Sequence, residues 1–243
     1  MARSARHAAV VAMTALLALA GCDSTQNKNA RAKLKAAREI AGRKPLRVTE
    51  PNPDVRVTST AVVRGRRSSA VVVRLRNSAP RPFTDVPISI AARGPGGRTV
   101  RLNTRRGVDW FQTHVPAVPP AGEATWVLTT RRRLPRRARV VARVGVAASP
   151  PISRATSLPE LDASPEGGVR RGAITVRVDN PSDVPQYGLQ VYALAVEHGR
   201  YVAAGTAALE HLGTGQAKTV AVRLTGRPTG GRLQLSVLPA TFE

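Results

Sequence analysis

The chain has 243 residues, a formal net charge of +23, 42% apolar residues, 3% aromatics and one cysteine. A single cysteine excludes a disulfide-stapled scaffold, and the apolar share excludes a disordered polyelectrolyte. With so few aromatics, any core has to be built from Val, Leu, Ile and Ala.

In chain order, Arg3 and Arg6 precede an apolar run from Ala8 to Ala20, 13 residues long. A spanning helix needs roughly 20, so residues 1–21 have the form of a secretory signal peptide. The run closes on Leu19-Ala20-Gly21-Cys22, which resembles the lipobox of bacterial lipoproteins. The resemblance implies cleavage before Cys22 and a diacylglyceryl group on its sulfur. It also implies a mature chain held by lipid on the extracytoplasmic face of a bacterial membrane.

Residues 22–44 follow as the lipidated cysteine and a basic tether. Ala30, Leu34, Ala37 and Ala41 recur at helical spacing, and Gly42 stands where a helix would end. So short a helix with so few large apolar residues is marginal alone. Lys28, Arg31, Lys33, Lys35, Arg38, Arg43 and Lys44 suit contact with anionic headgroups, at about 1 kcal/mol each. The plainer reading is a solvated spacer.

From Val55 onward, short alternating runs are punctuated by Gly, Pro and Asn, the pattern of an all-β sandwich. The pattern repeats. Val71, Val73, Leu75 and Asn77 match Ile174, Val176, Val178 and Asn180 at an offset of 103. After an insertion in the first copy the offset becomes 93, pairing Gly122 with Gly215 and Val140, Ala142 and Val144 with Leu233, Leu235 and Val237. The sequence therefore predicts two tandem immunoglobulin-like antiparallel β-sandwiches, over 45–148 and 149–243. In the strand ending at Asn77, Val72, Arg74 and Arg76 form the set expected to face water. Asn77 and Asn180 read as turn residues rather than ligands. Expected strands are 86–92, 98–103, 124–130 and 139–147 in copy one, and 189–196, 201–207, 219–224 and 232–238 in copy two. The stretch 150–168 gives no convincing counterpart to the strand at 55–63 and reads as a linker with a short edge strand.

This order of strands, Asn, Pro-containing turns and Gly turns resembles the bacterial extracytoplasmic immunoglobulin-like modules of the FxLYD and CARDB kind. The resemblance implies a non-catalytic adhesion, spacer or assembly role. The residues themselves offer no chemistry to set against it. Gly213 to Thr219 departs from a phosphate-binding loop at Ala217, where glycine is required. His114, His198 and His211 have no partner at metal-ligand spacing, and no nucleophile elbow or zinc-protease motif occurs. The expectation is a non-enzymatic protein with no catalytic residue, metal or cofactor.

Charge is the feature left to explain. Residues 45–150 hold twenty basic and five acidic side chains, whereas 151–243 hold nine and eight. In an antiparallel sandwich, loops after odd-numbered strands emerge at one end. In copy one that end gathers Arg64, Arg66, Arg67, Arg93, Arg98, Arg131, Arg132, Arg133, Arg136 and Arg137. Such a tip presents planar forks suited to phosphate or carboxylate polymers and headgroups; the competing reading is a solvated surface. At the opposite end, the insertion carries Trp110 and Phe111. They are candidates for packing between the modules, for contact with the lipid interface, or for docking onto a membrane protein partner. Nucleic acid would satisfy the charge equally well but conflicts with export.

Overall fold

The computed structural model describes residues 28, 31–36, 38–39, 46–105, 107–146 and 158–239. Leu19, Ala20, Gly21 and Cys22 lie outside the described residues. The fold is all-β and entirely antiparallel. Strands β1 (Val55–Arg64), β2 (Ser69–Asn77) and β6 (Glu123–Thr130) make one sheet, in the order β1-β2-β6. Facing it, β3 (Phe83–Arg93) carries β4 (Thr99–Arg101) and β5 (His114–Val118) in succession along one edge, and β7 (Arg139–Val144) on the other. Val71, Val73, Leu75, Ile88, Ile90, Trp126 and Leu128 fill the space between them.

The second sandwich repeats the plan. One sheet is β8 (Asp162–Arg170), β9 (Ala173–Asp179) and β12 (Ala217–Arg223); the other is β10 (Gln186–Glu197), β11 (Arg200–Leu212), β13 (Thr225–Gly226) and β14 (Arg232–Leu238). Ile88 faces Val144 across β3 and β7 as Val191 faces Val237 across β10 and β14. Both expected offsets are therefore met in one register.

Between those two positions the offset is 94, because Val71 faces Leu128 as Ile174 faces Val222. This shifts the turn before β6 by one residue from the expected alignment. Gly215 corresponds to Ala121 and not to Gly122: both occupy the left-handed region, at φ 61° and 47°, and Pro119 and Gly213 present equivalent carbonyls to Asn77 and Asn180. The turn requires a positive φ at its third residue, and the neighbouring glycine in copy one masked which residue supplies it.

Each of these asparagines ties two loops together at its end of the sandwich. Asn77 Nδ2 donates to the Arg81 and Pro119 carbonyls at 2.7 and 2.9 Å, and its Oδ1 accepts from Ala79 N–H. Asn180 does the same with Val184, Gly213 and Ser182.

Three features depart from the sequence reading. First, β8 is a full nine-residue strand paired with β9 as β1 is with β2. Its sequence, DASPEGGVR, is mostly exposed and has too few apolar residues to show a period of two. Second, β5 was not foreseen: β11 runs unbroken along β10, whereas the insertion splits the equivalent edge of β3 into β4 and β5. Third, Val72 is 1% exposed instead of facing water.

Val72 and Val127 lie in one continuous apolar cluster with Tyr192, Leu194, Ala204 and Leu238 of the second sandwich. The sheet β1-β2-β6 thus packs face to face with β13-β11-β10-β14. Gly226 of β13 meets Val63 at the end of β1, and Gly188 at the start of β10 meets Phe111. These two contacts fix the relative direction of the modules: the β1–β2, β3–β4 and β6–β7 loops of the first sandwich share one pole with the β8–β9, β10–β11 and β13–β14 loops of the second.

Candidate functional site

The pole formed by the β1–β2, β3–β4 and β6–β7 loops gathers the ten arginines expected there. Ser69 faces Thr130 and Arg93 faces Arg139, which brings the β1–β2, β3–β4 and β6–β7 loops to the same end. The residues do not all have the same role. Arg64 Nε donates to the Leu134 and Pro135 carbonyls at 3.2 Å, and Nη2 donates to Pro135 and Arg136 at 2.9 and 3.0 Å. It is a strut for the β6–β7 loop. Ser69 Oγ also accepts from Leu134 N–H at 2.9 Å, and the Leu134 side chain is buried. Arg131, Arg132, Arg133, Arg136 and Arg137 therefore project, exposed, from an anchored loop. Arg66, Arg67, Arg93 and Arg98 are likewise exposed.

The acidic residues of the first sandwich lie elsewhere. Asp54, Asp85 and Glu123 border the starts of β1, β3 and β6 at the opposite pole; Asp109 caps the turn that precedes β5, whose first residue lies opposite Pro87 part-way along β3, and Glu50 adjoins the Pro51–Gly145 bridge at the same level. These acids meet cations: Arg74 pairs with Glu123, Arg81 with Asp54 at 4.0 Å, and Arg38 with Asp109 at 3.7 Å. Among the described residues, none of the ten pole arginines has a carboxylate within ion-pair distance. The second sandwich adds Arg170, Arg171, Arg200, Arg227 and Arg232 to the pole, against Glu197. This polarity was partly legible, since the loops could be assigned to one end by counting strands. The contribution of Arg227 was not, because it depends on how the modules pack.

Trp110 and Phe111 form a short 3₁₀ turn capped by Asp109, whose carboxylate accepts from Phe111 N–H at 2.9 Å. Both are buried, at 5% and 4% exposure. Phe111 packs against Gly188 of the second sandwich and Leu34 of the N-terminal helix, and Arg38 lies over its ring at 5.3 Å. Of the contacts expected for this pair, the structure places both residues at the junction of modules and helix, which leaves neither exposed to an outside partner. Residues 28, 31–36 and 38–39 are helical, with Leu34 buried; Ala30, Ala37 and Ala41 lie outside the described residues. Arg31 stacks over Tyr187 at 5.3 Å, so the tether is docked on the pole opposite the arginines.

Beside this dock, Thr113 Oγ1 donates to the Trp110 carbonyl and accepts from His114 Nδ1–H, both at 2.9 Å. His114 Nε2 faces Asp85 Oδ1 at 3.8 Å. Burial pushes Asp85 up to about 6, partly offset by a hydrogen bond from Trp110, and pushes His114 down to about 4 against a backbone hydrogen bond to Trp110. In acid the unfolded chain takes a proton on His114 near 6.5, and the folded chain takes one on Asp85 near 6. The two states gain protons together, so the pair adds little pH dependence between pH 7 and 5. Breaking it should expose opposite slopes. Asp85→Asn leaves a histidine that resists protonation only when folded, and relative to the parent it should lose about 2 kcal/mol as pH falls from 7 to 4.5. His114→Gln leaves a carboxylate that prefers its proton when folded, and should gain relative stability over the same range. Urea titrations at pH 7, 6 and 4.5 read both slopes.

No group of three or more His, Cys, Asp or Glu side chains able to hold a metal occurs among the described residues. No helix among them is long and apolar enough to cross a membrane. No protein-family model matches the chain, and no curated protein does. Solved structures give distant likenesses. Dimeric latent PorU from Porphyromonas gingivalis is 13% identical with a TM-score of 0.21, over 77% of this chain and 20% of that one. The C-terminal globular domain of an oligosaccharyltransferase from Pyrococcus abyssi is 8% identical with a TM-score of 0.21, over 85% of this chain and 55% of that one. The chain thus spans about a fifth and about half of these two proteins.

Proposed function

We propose that the chain is a non-enzymatic, lipid-anchored protein of the bacterial envelope whose arginine pole binds an anionic polymer outside the membrane. The observation that carries the reading is the segregation of charge. The acids of the first sandwich lie away from the arginine pole, from mid-sheet to the end where the tether docks, and the ten arginines stand at their pole with no carboxylate partner among the described residues. Anchorage of the β6–β7 loop by Arg64 and Ser69 lowers the ordering cost of binding, because the backbone that carries the arginines is already held in place.

Lipidation at Cys22 would give this polarity a direction. The six residues from Cys22 to Lys28 reach at most about 21 Å, and strands of about ten residues carry the arginine pole roughly 30 Å beyond the dock. A polymer of the wall or periplasm is then within reach of the pole when the module stands away from the bilayer. Nucleic acid is set aside on location.

The test is retention of the mature protein on purified envelope polymers across a salt series. The parent should lose at least about tenfold in affinity as salt rises through the range where the screening length falls below 10 Å. Changing Arg131, Arg132, Arg133, Arg136 and Arg137 together to Gln should abolish retention at every salt concentration. Undiminished retention of that variant would overturn the reading.

A further inference from the structure

The arginine pole contains a built site at the seam between the two sandwiches. A cleft of about 360 Å³ is lined by Arg64, Gly65, Arg66 and Arg133 of the first sandwich and by Gly226 and Arg227 of the second. We infer that this cleft is a phosphate-binding subsite, in which Arg66, Arg133 and Arg227 converge on one phosphate group of a phosphodiester polymer. The inference rests on the polymer-binding reading above and specifies its ligand.

Two glycines make the cleft possible. Gly226, at φ 107°, has no room for a side chain: a Cβ there would stand 2.2 Å from the Val202 carbonyl oxygen and 2.6 Å from Val63 Cγ1. A Cβ on Gly65 would meet Ser68 Oγ at 3.0 Å and Thr225 Cγ2 at 3.2 Å. The backbones of the two modules therefore approach closely, and Ser68 Oγ and Thr225 Oγ1 lie 3.3 Å apart across the seam. Apart from these two glycines the lining is entirely arginine.

Arg64 is committed to loop carbonyls and acts as a strut. Arg66, Arg133 and Arg227 have neither an acid nor a hydrogen-bond acceptor for their guanidinium groups among the described residues. Three cations from three separate loops, with no counter-charge in the lining, repel one another across the seam. A planar carboxylate offers two oxygens to such a set. A phosphodiester also carries two charged oxygens, but sets them tetrahedrally about phosphorus with two ester oxygens beside them, which suits forks arriving from different directions.

Because the site takes arginines from both modules, its occupation should tie them together, and its vacancy should leave the seam under repulsion. Arg227→Gln is the discriminating variant. In chloride buffer it should melt at or above the parent's temperature, since it removes a repulsive charge. Inorganic phosphate at constant ionic strength should raise the Tm of the parent by about 3 °C or more and should leave Arg227→Gln within 1 °C of its chloride value, a threshold set as roughly the measurement error of such melts. Retention on a poly(glycerol phosphate) matrix should fall at least about tenfold in Arg227→Gln and in Arg66→Gln. A matrix of polygalacturonate, which carries only carboxylates, should retain the parent more weakly.

An equal phosphate response in parent and Arg227→Gln would overturn the subsite, as would stronger retention on polygalacturonate. Arg93→Gln with Arg98→Gln, at the same pole but outside the cleft, separates this failure from that of the wider reading. Loss of retention in that pair with none in Arg227→Gln sinks the seam site and keeps the pole, whereas retention unchanged in all of them sinks both.

Discussion

Asn103→Ala is expected to lower the unfolding free energy by about 3 kcal/mol and the melting temperature by roughly 6–12 °C. Asn103 has no exposed surface, and its amide does the work of a missing stretch of strand. Where the insertion leaves the edge of β3 after β4, Asn103 Oδ1 accepts from Ile90 N–H at 2.7 Å, and Nδ2 donates to the Ile88 and Gln112 carbonyls at 2.8 and 2.7 Å. Alanine strands three buried backbone groups, each costing about 1–3 kcal/mol when left unpaired. Partial relaxation and entry of water keep the sum below the maximum. Asn103→Asp should be at least as damaging, because it loses both donors and buries a charge. Denaturant melts of the two variants check this, and a loss under about 1 kcal/mol in Asn103→Ala would show that the insertion is held by its other contacts.

The strands and the repeat were legible because each β-strand of the inner layers buries one face, and a period of two survives in the residue string. Val71, Val73 and Leu75 against Ile174, Val176 and Val178 are the clearest case. The pattern reports that a face is buried but not what buries it. Val72 falls in the alternating set that continues into Arg74 and Arg76 and reads as exposed, yet the neighbouring module covers it. The seam cleft was hidden for the same reason, since Arg66 and Arg227 are 161 residues apart and only the packing of the modules makes them neighbours. Asn77 and Asn180 were readable as turn residues because they recur at the repeat offset beside Pro-containing turns, while their ties to a second loop appear only in the fold. Asn103 has no counterpart in the second copy, where β11 simply continues along β10, and a residue that replaces backbone pairing leaves no periodic trace.

Gly188→Ala should detach the N-terminal helix and destabilise the junction by about 3 kcal/mol. Gly188 has φ 65°, a conformation that costs an L-residue roughly 1–2 kcal/mol. Its hypothetical Cβ falls 2.7 Å from Phe111 Cζ and 3.0 Å from Leu34 Cδ2. The Phe111 ring has little freedom to retreat: its backbone is held by the Asp109 cap, and Trp110 meets its ring edge-on at 4.8 Å. Leu34 can retreat, because an isolated helix of this length gains little from its own hydrogen bonds and depends on burying that side chain. The methyl group should therefore be accommodated by lifting the helix rather than by unfolding the sheet. Limited trypsin digestion should cut sooner at the exposed Lys33 and Lys35 in Gly188→Ala than in the parent, while most of the β-sheet signal in circular dichroism persists. Leu34→Ala removes the same anchor from the helix side and should reproduce the digestion pattern with a smaller change in melting temperature, since it leaves the backbone of β10 unstrained. Equal protection of Lys33 and Lys35 in the parent and both variants would mean that the helix is held by the arginine contacts at Arg31 and Arg38 instead of by Leu34. The position of the tether relative to the arginine pole would then rest on electrostatics and should loosen with salt.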